Sequence, residues 1–178
     1  MPRSATGAAP QSAYQRALGR LARRDHSAAE LRRALAARGH GEDEVESALA
    51  RLQRERYIDD AGYAERFARS RLAHHGHGRA LVRQGLRQRG VGRSEAEAGL
   101  KKALGEVDEK AVLEGLARRY WRQHDRTEPA RRLPRLWAFL LRRGFAASLV
   151  NDRLRALWPR WADALEGLEP AEPAEDGR

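Results

Sequence analysis

The chain has 178 residues, a formal net charge of +10, 41% apolar, 34% charged and 6% aromatic side chains, and no cysteine. That length holds one domain or a few small subdomains, and so high a charge with so few aromatics suits slim helical units better than a thick sheet sandwich. The lack of cysteine excludes a disulfide framework and a Cys-based zinc site, while the absence of a signal-peptide pattern or an apolar run near 20 residues predicts a cytoplasmic protein with no membrane span.

Residues 1–11, MPRSATGAAPQ, have the composition of a disordered tail. YQRALGRLARR then predicts a first helix. Ser27 and Glu30 form the sequence pattern of a capping box, opening a second helix whose Leu31 and Leu35 lie on one stripe. That helix ends at Arg38, and Gly39 follows at the C′ position, where a left-handed backbone is needed. Asp43 is a good N-cap type for a third helix, with Val45, Leu49 and Leu52 on one face.

The series then repeats. GYAERFARSRLAHH leads Val82, Leu86, Arg89 and Gly90, with Ser94 as the cap, Glu97 completing a capping box, and Ala96, Leu100 and Ala103 behind it. KAVLEGLARRYWRQH and a longer loop around Pro129 lead Leu136, Leu140, Arg143 and Gly144, with Ser148 as the cap and Val150, Leu154 and Leu157 behind it. The glycines lie 51 and then 54 residues apart. Val91 and Phe145 suit the apolar contact of a Schellman turn, and His40 is the weak member of that column.

A period of this size marks stacked helical units. The prediction is an all-α chain of three tandem three-helix repeats, at residues 12–58, 59–107 and 108–161, arranged as an elongated solenoid. An acidic disordered tail is expected over 162–178. A single helix-turn-helix in a basic chain suits a DNA-reading module, whereas three in tandem argue that the turn is mainly structural.

Basic excess builds along the chain. Residues 1–60 carry 11 basic and 9 acidic side chains, residues 61–110 carry 11 and 6, and residues 111–160 carry 12 and 4. A phosphate backbone is the natural partner for such a distribution. Only Lys101, Lys102 and Lys110 are lysine, a skew that a GC-rich coding sequence produces, so the charge carries the argument and the arginine preference does not. The contact candidates are Arg23, Arg24, Arg32 and Arg33 in the first repeat and Arg83, Arg87, Arg89 and Arg93 in the second. Arg118, Arg119, Arg122, Arg131, Arg132, Arg142 and Arg143, with Arg135 among them, crowd the third. Tyr120, Trp121, Trp137, Phe139 and Phe145 are interleaved with these arginines. Basic grooves with aromatics hold single strands, but aromatics at helical spacing are more often core, the role expected for Trp137 and Phe139.

Other clusters read as structural. Asp59, Asp60 and Glu65 resemble a carboxylate metal set, but one Asp is better explained as a helix cap, with Ile58 placed to staple against Tyr63. His74, His75 and His77 suit a helix C-terminus, where positive charge is favoured, with Gly76 and Gly78 ending that helix. No G-x-x-x-x-G-K-[ST] loop is present. Neither a catalytic residue, a cofactor nor a metal is expected.

RDHSAAELRRALAARG at 24–39, YIDDAGYAERFARSR at 57–71, LVRQGLRQRGV at 81–91 and FLLRRGF at 139–145 together resemble the RecX family of bacterial regulatory proteins. The similarity covers about residues 14–158. It implies a curved stack of three three-helix repeats with no catalytic centre. It also implies a protein that binds the RecA recombinase and its filament on single-stranded DNA, and lowers RecA's ATP hydrolysis, strand exchange and co-protease action. Single-stranded DNA, with duplex weaker, and a monomeric state complete the expectation. The rival reading is a helix-turn-helix DNA-binding protein acting without RecA. A helical scaffold for some other protein stands behind it.

Overall fold

The computed structural model describes residues 11–159. Among these residues it contains nine helices and no strand: α1 (Ala13–Leu21), α2 (Ala28–Ala36), α3 (Glu42–Arg54), α4 (Asp60–Ala73), α5 (Arg79–Gln88), α6 (Arg93–Glu106), α7 (Glu109–Gln123), α8 (Pro129–Arg142) and α9 (Ala147–Leu157). They fall into three sets of three. The tails expected at the two ends lie, apart from Gln11, outside the described residues. Contacts divide the chain into two compact units, Met1–Arg66 with Leu86–Gly99 and Phe67–Gly85 with Leu100–Arg178.

In the first unit, α1, α2 and α3 close around Ala13, Ala17, Leu31, Leu35, Val45, Leu49 and Leu52, all buried. Leu31 and Leu35 are wholly inaccessible, as an i, i+4 stripe on a short helix requires. Short helices of nine residues are unstable alone, so burial on neighbours and well-formed ends hold them. The Ser27 hydroxyl accepts the Glu30 N–H at 3.1 Å, and the Glu30 carboxylate accepts the Ser27 N–H at 3.2 Å, completing the expected box. Ser12 and Gln15, which fit the same S-x-x-Q pattern, form a second box at the start of α1.

In the second unit, α7, α8 and α9 bury Leu113, Ala117, Leu133, Leu136, Leu140, Phe145, Val150 and Leu154. Trp137 and Phe139 are half-buried against this core, and the Trp137 indole N–H donates to Asn151 Oδ1 at 2.7 Å. Trp121 and Trp158 stack with centroids 4.6 Å apart.

The three glycine turns are alike. Gly39, Gly90 and Gly144 have φ of 83°, 74° and 87°. The following N–H of His40, Val91 and Phe145 reaches back to Leu35, Leu86 and Leu140 O at 3.4, 3.2 and 3.3 Å. These are Schellman closures, and Val91 and Phe145 supply their buried apolar residue. His40 instead pairs with Glu44 at 2.9 Å.

The caps of the third helices differ from expectation. Asp43, Ser94 and Ser148 lie inside α3, α6 and α9, whose N-cap positions fall two residues earlier, at Gly41, Gly92 and Ala146. The Schellman turn reverses the chain so quickly that the next helix begins at once. The capping box expected of Ser94 and Glu97 is therefore not at the helix start, and the Glu95 carboxylate folds over Gly92 in its place.

Candidate functional surface

Within each unit, one repeat is fastened to the next by the same two contacts, and this fixes where side chains remain open. The Ser27 hydroxyl donates to Arg89 O at 2.6 Å. At the corresponding place in the second unit, Gly78 N donates to Arg143 O at 2.8 Å and Ala80 N to Gly144 O at 3.1 Å. The start of one middle helix thus seats on the glycine turn of the next repeat. A carboxylate then closes each seam. Asp60, the first residue of α4, accepts Ala28 N at 2.9 Å, and Glu109, the first residue of α7, accepts Arg79 N at 3.0 Å. Both acids satisfy a helix N-terminal N–H that would otherwise go unsatisfied.

Close approach accounts for two of the glycines. A Cβ on Gly90 would lie 2.4 Å from Ala29 Cβ, and one on Gly144 would lie 2.4 Å from Leu81 N. Over Gly39 there is open space.

These seams assign the carboxylates. Asp59 caps α4 as expected of one of the two acids, its Oδ1 accepting Gly62 N at 2.9 Å. Ile58 and Tyr63 are both buried. Burial raises the Asp60 pKa, against the Ala28 hydrogen bond, with the charges of Glu95, Asp59 and Glu30 raising it further. Among the described residues no three His, Cys, Asp or Glu side chains converge as a metal site would require. His74 closes the end of α4, its N–H donating to Ser70 O at 3.0 Å, and Gly76 turns the chain at φ 60°. Burial, then the charges of Arg143, Arg71 and His75, hold the His77 pKa below its ordinary value.

The contact candidates separate by partner. Arg32 is committed to Glu46, with Nη2 to Oε2 at 2.9 Å, and Arg24 to Glu30 at 3.5 Å and Asp25 O at 2.9 Å. Arg33 donates to Gln88 O at 3.2 Å across the first seam. Arg89 hydrogen bonds Tyr63. Arg83, Arg87 and Arg93 are exposed. Arg143 donates to His75 O at 2.9 Å and lies 5.3 Å from the Phe139 ring centre.

Arg132 must be withdrawn from the surface. It is 7% exposed, donates to the carbonyls of Thr127 and Trp121 at 3.0 and 3.4 Å and to that of Asp125, and sits 4.5 Å over the Trp121 ring. It pins the loop before α8 to the last turn of α7, gathering the loop carbonyls of Asp125 and Thr127 with the Trp121 carbonyl of α7. Sequence spacing put it among solvated arginines because nothing local reveals that loop's path.

Arg118, Arg119, Arg122, Arg135 and Arg142 are exposed and have no side-chain partner among the described residues; Arg131 is paired only loosely, at 3.9 Å to Glu128. Arg118 and Arg122 are one turn apart on α7, and Arg131, Arg135 and Arg142 share a side of α8. Three arginines that sequence reasoning missed, Arg16, Arg20 and Arg38, join Arg23 and Arg24 around one cleft of about 580 Å³ in the first repeat. Arg16 and Arg20 fall at i and i+4 of α1, with Arg23 just past its end, a legible signal that the repeat columns, starting later, passed over.

Fold and surface together define a class, a helical-repeat protein of three-helix units with a basic exterior. Similarity to known proteins identifies the class more closely. The family models for the first, second and third three-helix domains of RecX match residues 13–52, 59–100 and 108–154, and the chain belongs to the RecX family. It is 35% identical over 145 residues to a protein of Pseudomonas entomophila, spanning 82% of this chain and 91% of that one. It is 38% identical over 151 residues to one of Halorhodospira halophila, spanning 83% and 89%. Both carry the name regulatory protein RecX. A crystal structure of regulatory protein RecX superposes with a TM-score of 0.73 at 27% identity, covering 80% of this chain and 71% of that chain. The structure of RecX from Lactobacillus salivarius, at 19% identity and a TM-score of 0.73, shares the fold. The role of the family is regulatory. No helix among the described residues is long and apolar enough to cross a membrane.

Proposed function

We propose that this protein binds RecA and the RecA filament on single-stranded DNA and lowers RecA's ATPase, strand exchange and co-protease activities, by contact and without chemistry of its own. The RecX names of its relatives supply the partner. The observation that carries the reading here is the unpaired arginine row of α7 and α8, against first-repeat arginines such as Arg32, which a carboxylate neutralises. Unpaired guanidinium groups on rigid helices suit phosphates and surface carboxylates alike, and their attraction acts before contact. Arg118, Arg119, Arg122, Arg135 and Arg142 are the proposed contacts, and Arg87 and Arg93 of the first unit are separate proposed contacts. The protein works in the cytoplasm as a monomer on this reading.

The test is the single-stranded-DNA-dependent ATP hydrolysis of the cognate RecA, measured with increasing amounts of this protein. Suppression well below one protein per RecA is the expected result and means action on filament growth or cohesion. Unchanged hydrolysis at every ratio overturns the reading.

A further inference from the structure

The seams show how a repeat receives its predecessor, through a glycine turn offering a carbonyl and an acid at the first position of the leading helix. The first repeat keeps the turn, with Gly39 at φ 83° and open space above it. Its leading helix, however, begins with Ala13 where the later repeats have Asp60 and Glu109. This face of the first repeat therefore lacks the acid that seats a helix start, and arginines surround the place. Arg38, next to the open glycine, lines the cleft with Arg16, Arg20, Arg23, Arg24 and Gln15, and no carboxylate or large apolar side chain lines it.

Nothing in the folding of the repeat calls for this. Like charges at i, i+4 on a helix are destabilising, and elsewhere the same repeat pairs its arginines, Arg32 with Glu46 and Arg51 with Glu55. In the cleft, Arg20, Arg23 and Arg38 have no side-chain partner among the described residues. Arg16 Nε is buried with no acceptor. Two other arginines, Arg69 and Arg153, also bury Nε, but each forms an ion pair, with Glu106 and Glu114 respectively. Arg16 has neither among the described residues, and a buried charged donor without an acceptor is costly unless something binds there.

We propose that this cleft is a phosphate-binding site, taking neighbouring phosphate groups of a nucleic-acid backbone or of a free polyphosphate. Its volume is within the range of small-ligand pockets. Guanidinium forks match phosphate oxygens two at a time. Successive phosphates carry their charges on the backbone itself, whereas an acidic peptide presents its carboxylates on flexible side chains that must be ordered on binding. The site goes beyond the regulator reading and does not rest on it.

The experiment titrates the full chain, without RecA, with inorganic tripolyphosphate and separately with a labelled oligothymidylate, following the NMR signals of the Gly19 amide and Arg16 Nε–H. Both probes are expected to shift these signals and to displace one another. Combining Arg20→Gln and Arg38→Gln is expected to weaken binding about tenfold and flatten its salt dependence, whereas Arg126→Gln, at an exposed position outside both arginine sets, leaves the cleft signals moving as before. Shifts with tripolyphosphate alone support the site and assign it to free polyphosphate. Silence of the cleft signals with both probes overturns the proposal, and so does polyglutamate of equal charge displacing the phosphates as well as they displace each other. Suppression of RecA ATPase with silent cleft signals removes this site and leaves the regulator reading; moving signals with unaltered RecA ATPase do the reverse.

Discussion

Asp60 and Glu30 lie on the same seam, and their protons behave in opposite ways. Burial works against the Glu30 carboxylate, but the Ser27 N–H and Arg24 outweigh it and hold its pKa below the ordinary carboxylate value. Its contribution to stability is thus present above that ordinary value and is lost as pH falls through the lowered one. Asp60 is shifted up, so its contribution is full below the ordinary Asp value and is lost as pH rises through the raised one. Asp60→Asn keeps an acceptor for Ala28 N and removes a half-buried charge. It is expected to be as stable as the parent or more so at neutral pH, with the gap closing in acid, while Asp60→Ala loses about 1 kcal/mol with the cap. Glu30→Gln is expected to flatten the acid limb of the stability curve. Urea denaturation from acid to neutral pH reads all three. Arg132→Ala removes the donor to two loop carbonyls and one in the last turn of α7 and is expected to cost about 2–4 kcal/mol, whereas Arg32→Gln, removing an exposed pair, costs under about 1 kcal/mol.

At the scale of helices and turns, the three Schellman closures are chemically alike but differ in their surroundings. Alanine at Gly39 meets only the left-handed backbone and is expected to cost about 1 kcal/mol. Alanine at Gly90 or Gly144 also drives a methyl into Ala29 or Leu81, adding about 1–3 kcal/mol of overpacking. Equal destabilisation in thermal unfolding at all three positions would count against the seams as described. Glu109→Ala strips Arg79 of both its N-terminal and its guanidinium partner and is expected to cost about 1–3 kcal/mol, with Glu109→Gln milder. The turns, stripes and middle-helix cap were legible because each is set by residues within one or two turns of chain. The third-helix caps were misplaced by two residues because a good N-cap type counts only where the turn geometry lets a helix begin, and the Schellman turn decides that.

For the whole molecule, function is a question of which positive charges remain unspent. Replacing Arg118, Arg122 and Arg135 together by glutamine is expected to weaken binding to RecA-coated or bare single-stranded DNA. It should also lower the slope of log affinity against log salt by about 0.7 for each phosphate that is no longer neutralised. Arg32→Gln should change neither. Anisotropy across a salt series reads both variants, and a slope equal to the parent's in the triple variant would move the binding surface off α7 and α8.

The sequence by itself determined that the chain is all-helical, where its glycine turns fall, which leucines are inside and that its charge rises along the repeats. All of these follow from short-range periodicity and backbone preference, which act within a few residues. It showed sixteen candidate arginines but not their partners. Only the tertiary structure decided that Arg32 is neutralised by Glu46, that Arg132 is buried under a loop, and that Arg16, Arg20 and Arg38 meet in one cleft. Side-chain charge is long-ranged and flexible, and its meaning depends on what the fold brings within a few ångströms.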